Sequence, residues 1–319
     1  MSTEHRPRVA ILLATYNGER YVERQLRSLN DNSTPFTVHW VDDHSQDGTR
    51  DVVRQVARST KMPLKEWQQD DHLGVPAAFF HLLECAEADI YLFCDQDDVW
   101  QPGKIDATVA SLLPVLESVR LSISDPLIFY GDRPETLVRQ SRLFADARAP
   151  RALEASRTFL SLVPSGHTQG FTRALRDTYL RHKEVARSYA AMHDTWMYVI
   201  AVACGSVRLL SDAPTTLYRQ HGQNFSKFIT GARTLRQTWQ LQQAFRRYFS
   251  RQAQGFVLAA STLNDGPNLD LLISIARLVS TLHRRQSPLE LFRLAWYKAM
   301  WPSRLSACWL IATCLFSDA

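Results

Sequence analysis

The 319-residue sequence predicts an α/β fold, a mostly parallel central sheet with helices on both faces, followed by a helical C-terminal region. Three observations predict it. Near-continuous apolar runs, as expected of strands buried on both faces, alternate with segments of helical spacing. The early runs end in polar clusters, where the strands of open α/β sheets present their ligand sites. From about Thr234 onward strand signals fade and helical periodicity takes over.

The first run, Arg8 to Thr15 (RVAILLAT), reads as a buried parallel strand. After the Asn17-Gly18 turn, Tyr21, Val22, Gln25, Leu26 and Leu29 recur at helical spacing. Phe36 to Val41 reads as the second strand, and the loop Asp42 to Gly48 leads into a helix with Val52, Val53, Val56 and Ala57 on one face. Met62 to Trp67 suits a third strand. Val75 to Ala86 suits a helix that turns Phe79, Leu82, Leu83 and Ala86 inward. Asp89 to Cys94 is the fourth strand. Such alternation implies right-handed crossovers and a sheet covered on both sides. Beyond Pro102 the pattern is less regular, with strand signals at Leu127 to Tyr130 and Val207 to Leu210 and a helical one from Arg173 to Arg187. Turn sequences at Asn264-Asp265-Gly266-Pro267 and Ser287-Pro288 break the helical stretch that follows. The expected division is a catalytic domain over 1–230 and a helical, basic, aromatic region over 231–319.

Composition sets the class. Hydrophobic residues at 45% and charged residues at 22% are those of a folded protein and exclude a disordered or fibrous chain. Five scattered cysteines without a CxxC pair argue against a zinc site or a disulfide framework and point to a reducing compartment. The polar start, Met1 to Arg8, shows no signal peptide, so a cytoplasmic location is expected. The net charge of +5 is unevenly spread, because residues 219–319 hold 13 of the 37 Lys and Arg but only 4 of the 32 Asp and Glu. In that basic part Phe292, Trp296, Tyr297, Trp301, Trp309 and Phe316 interleave with Arg293, Lys298 and Arg304. The apolar run Leu305 to Phe316 is too short for a hydrocarbon core of roughly 30 Å. Its composition suits peripheral contact with the inner face of a membrane, and equally a partner or the protein's own core. No nucleic-acid-binding module is present, and none is expected to act.

Three polar clusters, Thr15-Tyr16-Asn17, Asp42-Asp43 and Asp95-Gln96-Asp97-Asp98, sit at predicted strand ends and would converge in space. Asp95, Asp97 and Asp98 repel one another unless a cation neutralises them. Hard oxygen ligands suit Mg²⁺ or Mn²⁺, which commonly bridge one or two carboxylates to substrate phosphates. The implied ligand is a diphosphate held through the metal. A lone acidic turn of this kind is more often solvated surface. Its place after an apolar strand and before Val99-Trp100-Gln101-Pro102 argues otherwise. Asp42-Asp43 could equally start the next helix, with Ser45 and Asp47 as further caps.

ATYNGE (Ala14 to Glu19), VDDHSQDGT (Val41 to Thr49) and CDQDDVWQPGKI (Cys94 to Ile105) resemble the three N-terminal signatures of family 2 glycosyltransferases. Within that family they are most similar to the rhamnosyltransferase-like branch of bacterial surface polysaccharide synthesis. The resemblance covers roughly residues 7–225. It implies the Rossmann-like glycosyltransferase A-type fold, an inverting mechanism, a divalent metal, a dTDP- or UDP-sugar donor and a glycan or lipid-linked glycan acceptor. Carried onto this chain, it implies that Thr15, Tyr16, Glu19 and Asp43 hold the base and ribose, and that Asp95 lies near the ribose and diphosphate. Asp97 would be the main metal ligand with Asp98 close by. His193-Asp194-Thr195-Trp196 matches the segment that carries the catalytic base, Asp194. Leu217 to Asn224 resembles a YRQHGxN segment in which His221 could reach the metal.

A carboxylate suits the base, which must reach the acceptor hydroxyl opposite the leaving diphosphate. Without the resemblance, Asp194 would read as a helix cap. Trp100 and Trp196 could stack on sugar rings, although such tryptophans more often belong to a core. Lys104 and Arg219 could neutralise diphosphate or be ordinary surface charges. The chain departs from the family pattern at Val163 to Phe171, VPSGHTQGF, where Ser165-Gly166 fit and His167, Gln169 and Gly170 do not. This segment shapes the sugar and acceptor pocket, so the identity of the sugar and acceptor stays open. Two other readings remain. A nucleotidyltransferase would require a Gly-rich basic loop that TYNGER lacks, and an inactive sugar-nucleotide-binding subunit would not require Asp97, Asp194 and His221.

Overall fold

The computed structural model describes residues 6–132, 137–140, 165–210, 213, 215–221, 247, 248, 250–263 and 266–280. The predicted membrane-facing tail and the boundary near residue 230 lie outside them. Strand β1 (Val9–Thr15) is buried along nearly its whole length because it has parallel neighbours on both sides, β2 (Thr37–Asp42) and β4 (Ile90–Cys94). β3 (Leu64–Trp67) extends the sheet beyond β2. Alternate side chains face opposite sides of such strands. Ile11, Leu13, Leu92 and Cys94 pack in one core, with α1 (Glu19–Ser28), α2 (Thr49–Thr60) and α4 (Lys104–Leu112) covering it. Ala10, Leu12, Tyr91 and Phe93 pack in the other, against α3 (Val75–Cys85).

Register fixes where the site can be. Thr15 pairs with Asp42 and Leu13 with Cys94, so the carboxyl ends of β1, β2 and β4 lie level and Asp43 and Asp95 follow immediately. The short β5 (Val99–Trp100) follows the acidic loop. The large sheet is completed by β6 (Arg120–Ser124), β9 (Gln169–Thr172) and β10 (Ser206–Leu210), in the order β10-β6-β9-β4-β1-β2-β3. β9 runs antiparallel between β4 and β6. A smaller sheet, β5-β11-β7-β8, brings β11 (Thr216–Gln220) beside β7 (Leu127–Tyr130) and β8 (Leu137–Gln140).

The helix expected from Arg173 to Arg187 is two helices, α5 (Arg173–Leu180) and α6 (Lys183–Tyr189), because the chain breaks at Arg181-His182 and His182 caps the second. α7 (His193–Cys204) is buried over almost its entire length. It is covered by the C-terminal helices α8 (250–259) and α9 (Leu269–Val279), whose Phe256, Leu272 and Ala276 join the same core. Among the described residues no helix is long and apolar enough to cross a membrane.

Candidate active site

The first two strand ends lock together. Beyond β1 and β2 the chain reverses through Asn17 and His44, both in the left-handed region at φ 46° and 64°. Holding non-glycine residues there costs on the order of 1 kcal/mol each, so the surrounding contacts must fix them. They do. Asn17 N donates to Ser45 Oγ (2.9 Å) and Gln46 N to Asn17 Oδ1 (2.8 Å). Glu19 N donates to Asp47 Oδ2 (3.1 Å), Gly48 N to Glu19 Oε2 (2.9 Å) and Gly18 N to Thr49 Oγ1 (2.8 Å). Glu19 is therefore a clasp between two loops, and its carboxylate is absent from the cleft wall. Asp42 is equally engaged, accepting from Thr15 Oγ1 (2.8 Å), Ser45 N and Oγ (2.9 and 2.6 Å) and Arg50 Nε (2.6 Å). Burial opposes its ionisation, yet these bonds outweigh burial and hold the carboxyl below the ordinary carboxylate range.

Asp43, 4% exposed, turns the other way and lines a cleft at the strand ends. Its carboxylate accepts from Leu73 N (2.7 Å), Gly74 N (2.8 Å) and Gln69 Nε2 (2.6 Å), which ties it to the start of α3. Tyr16 is 47% exposed and leans on His72 with ring centroids 4.7 Å apart. Thr15, Tyr16, Asp43, Asp95, Asp97, Gly166, His193 and Asp194 all face this one cleft. The convergence expected from sequence is present.

Across the cleft the chemistry differs. Burial, with Asp97 and Asp194 nearby, pushes Asp95 up to about 8. Burial, Asp97 and Asp95 push Asp98 well above the carboxylate range, only partly offset by Arg219. Asp98 Oδ1 accepts from Arg219 N (3.0 Å), while its buried Oδ2 has no hydrogen-bond partner among the described residues. His167 lies 3.5 Å away through Nδ1, stacked on Tyr218, with neither ring nitrogen hydrogen-bonded among the described residues. Burial and Lys104 lower its pKa to about 3, so the imidazole is neutral and able to ligate. Asp95, Asp98 and His167 each present one ligand atom within 4.8 Å of the other two. Asp97 and His221 instead meet each other, Oδ2 to Nε2 at 2.9 Å. Crowded carboxylates with orphaned buried atoms fit a hard divalent cation.

Asp194 faces this cluster from the first turn of α7, whose cap position is Met192. It is thus the second residue of the helix rather than its cap. Its Oδ2 accepts from Gly166 N (2.9 Å) and its Oδ1 from Thr195 N (2.6 Å) and Thr195 Oγ1 (3.2 Å). Burial raises its pKa to about 6 and these bonds restrain the rise, which leaves a carboxylate poised near neutrality. Beside it His193 is buried between Phe79 and Phe93, neutral through burial, with both nitrogens unpartnered. A Cβ on Gly166 would lie 2.8 Å from His193 Nε2, so glycine there lets the imidazole come close.

Besides Glu19, the proposed sugar and diphosphate contacts Trp100, Lys104 and Trp196 do not line the cleft, and neither do the metal candidates Asp98 and His221. Trp100 is 1% exposed and lies under Lys104, whose Nζ is 3.8 Å from its ring. Lys104 itself is buried, its pKa lowered to about 8 by burial, and donates to the His167 carbonyl (3.0 Å) rather than to a ligand. Trp196 is a core residue whose Nε1 donates to His182 Nε2 (3.1 Å). That part of the cleft is lined instead by Ser165, Gly166, Met192 and His193. Gln96 and Tyr218 also line the cleft and were not singled out from sequence. His167 was noted only as a departure. That departure, an ionisable side chain in a small-polar segment, was the available signal.

The Glycosyl transferase family 2 model matches residues 10–180. TuaG of Bacillus subtilis, a glycosyltransferase assigned to teichuronic acid biosynthesis, is 32% identical over 108 residues, 33% of this chain and 41% of that protein. The dTDP-rhamnosyl transferase RfbG of Shigella flexneri is 24% identical over 217 residues, 66% of this chain and 72% of RfbG. Among solved structures, TarS 1-349 of S. aureus in complex with UDP-GlcNAc superposes with a TM-score of 0.53 at 19% identity over 86% of each chain. The mannosyltransferase PcManGT of Pyrobaculum calidifontis, in complex with GDP-Man and Mn²⁺, does so at 0.53 and 18% identity, over 99% of this chain and 89% of its own. At such identities these likenesses establish the common fold, the glycosyltransferase A-type fold.

Proposed function

The chain belongs to glycosyl transferase family 2, and from that premise we propose that it is an inverting, divalent-metal-dependent transferase of bacterial surface polysaccharide synthesis. It moves a sugar from a nucleoside-diphosphate donor to a hydroxyl of a glycan or lipid-linked glycan. The match to a dTDP-rhamnosyl transferase supports dTDP-rhamnose as the donor. The observation that carries this reading is the single cleft shared by Asp43, Asp97 and Asp194, which are far apart in sequence.

In this reading Tyr16 and Asp43 receive the nucleoside, and Thr15 acts indirectly by fixing Asp42. Asp95, Asp98 and His167, with the Asp97–His221 pair beside them, would hold Mg²⁺ or Mn²⁺. The bound ion supplies Lewis-acid stabilisation of charge on the departing diphosphate. Asp194 accepts the proton of the acceptor hydroxyl as its oxygen bonds the anomeric carbon and the bond to the diphosphate oxygen breaks. Held by two amides and a hydroxyl, the carboxylate needs little reorganisation for this. The neutral imidazole of His193 offers one donor and one acceptor, which matches sugar hydroxyls.

The test is a thermal-shift screen of nucleotide sugars with Mn²⁺ or Mg²⁺, followed by donor turnover. We expect a metal-dependent shift with dTDP- or UDP-sugars that is lost in Asp97→Ala. A shift that survives Asp97→Ala, or absence of any shift, would contradict the assignment.

A further inference from the structure

The base assigned above is reached from a part of the chain that no sequence motif touched. Helix α8 docks closely on α6 and α7, since a Cβ on Gly255 would sit 2.3 Å from Tyr189 Cβ and 3.3 Å from Trp196 Cη2. Ala253 and Phe256 are fully buried in this contact. Two residues before that span, Tyr248 is itself helical, and its hydroxyl lies 3.0 Å from Thr195 Oγ1. Thr195 Oγ1 is in turn 3.2 Å from Asp194 Oδ1. The direction of the chain follows from the chemistry. An ionised carboxylate only accepts, so the Thr195 hydroxyl donates to Asp194 and its oxygen accepts from Tyr248. Burial first and the charge of Asp194 second raise the phenol above its ordinary value, against a lowering by the contact with Thr195, so it stays protonated and able to donate.

We propose that Tyr248 is a positioning residue for the reaction: through the hydroxyl of Thr195 it fixes the Asp194 carboxylate toward the cleft, so that the C-terminal helix completes the active site. The inference rests on Asp194 being the base. A chain of hydroxyls leaves Oδ1 doubly occupied, by Thr195 N and Oγ1, and directs Oδ2, held among the described residues by Gly166 N alone, to the acceptor. Removing the phenol oxygen unties Thr195 without touching the nucleotide side of the cleft.

The experiment is a double-mutant cycle of Tyr248→Phe and Thr195→Val in the full chain. It reads kcat and KM for turnover of the nucleotide sugar selected by thermal shift, and the affinity for UDP with Mn²⁺. A neutral hydrogen bond predicts a kcat loss of about threefold to tenfold in Tyr248→Phe. KM and UDP affinity should hold, and the double variant should be no worse than Thr195→Val alone, because both substitutions cut one chain. Unchanged kcat in Tyr248→Phe would overturn the proposal, as would kcat and KM worsening in step or losses that simply multiply. Asp194→Asn separates the two levels. If it keeps full turnover, the base assignment itself fails; if it is inactive while Tyr248→Phe is unaffected, only the role of Tyr248 is lost.

Discussion

The two sides of the cleft are built on opposite principles. At the ends of β1 and β2, the carboxylates of Asp42, Asp43, Glu19 and Asp47 and the side-chain oxygen of Asn17 all accept hydrogen bonds from the chain itself. At the end of β4 and on the facing segments, Asp98 Oδ2 and both nitrogens of His167 and His193 are buried without a hydrogen bond among the described residues, and Asp98 Oδ2 stands 3.5 Å from His167 Nδ1. Leaving such a group unsatisfied costs about 1–3 kcal/mol, and more when it is charged. The first side is a finished cradle that needs no ligand to hold its shape. The second is chemically incomplete, and a cation and sugar hydroxyls are what would complete it. Stability has been given up where chemistry is to be done.

Asp194 tests the contrast most severely, because it is donor-rich like the first side yet has a raised pKa like the second. Asp194→Asn should lower turnover on the order of 10³-fold, within the usual range for loss of a general base. Nucleotide affinity, which belongs to the opposite side, should be unchanged. In the parent protein kcat/KM should fall as pH drops through about 6, since only the ionised carboxylate accepts a proton. Activity held down to pH 4 would remove burial from the account.

A smaller effect separates the sides by stability alone. Asp42→Asn should destabilise the fold by about 1–3 kcal/mol in denaturant melts, since it leaves Arg50 and the loop donors short of a charged acceptor. Because the Asp42 carboxyl is held below its ordinary range, its contribution is present above the unfolded value and lost as pH falls through the folded one. Asp98→Asn should instead leave metal-free stability within about 0.5 kcal/mol of the parent or raise it, because burial and the neighbouring Asp97 and Asp95 disfavour an ionised carboxylate there and Arg219 offsets this only in part. Equal losses in the two variants would break the comparison.

The same contrast explains what the sequence revealed. β1, β2 and β4 were legible because strands buried on both faces must be continuous apolar runs. β9 was not, since Gln169-Gly170-Phe171-Thr172 has no such run. It inserts between β4 and β6 by burying a glutamine and a glycine, whose Cβ would lie 2.3 Å from Thr108 Cγ2. β6 (RLSIS) escaped for the same reason, its serines buried beside Ser111 and Thr215. The acidic strand ends could be read because their chemistry is local. Whether Trp100, Trp196 and Lys104 faced the cleft could not, because that depends on which side of a helix or short strand meets the core. His167 owes its place to the stacking of Tyr218 from β11, a contact between segments distant in sequence.

Mn-edge anomalous diffraction from crystals grown with Mn²⁺ and UDP addresses the central claim most directly. An ion bound by the Asp95–Asp98 loop at roughly 2.2 Å from its ligands, with UDP bridging from it to Asp43 and Asp194 facing the diphosphate, is the predicted result. An acidic loop without manganese, or UDP lodged in a hollow away from Asp43 and Asp194, would contradict it.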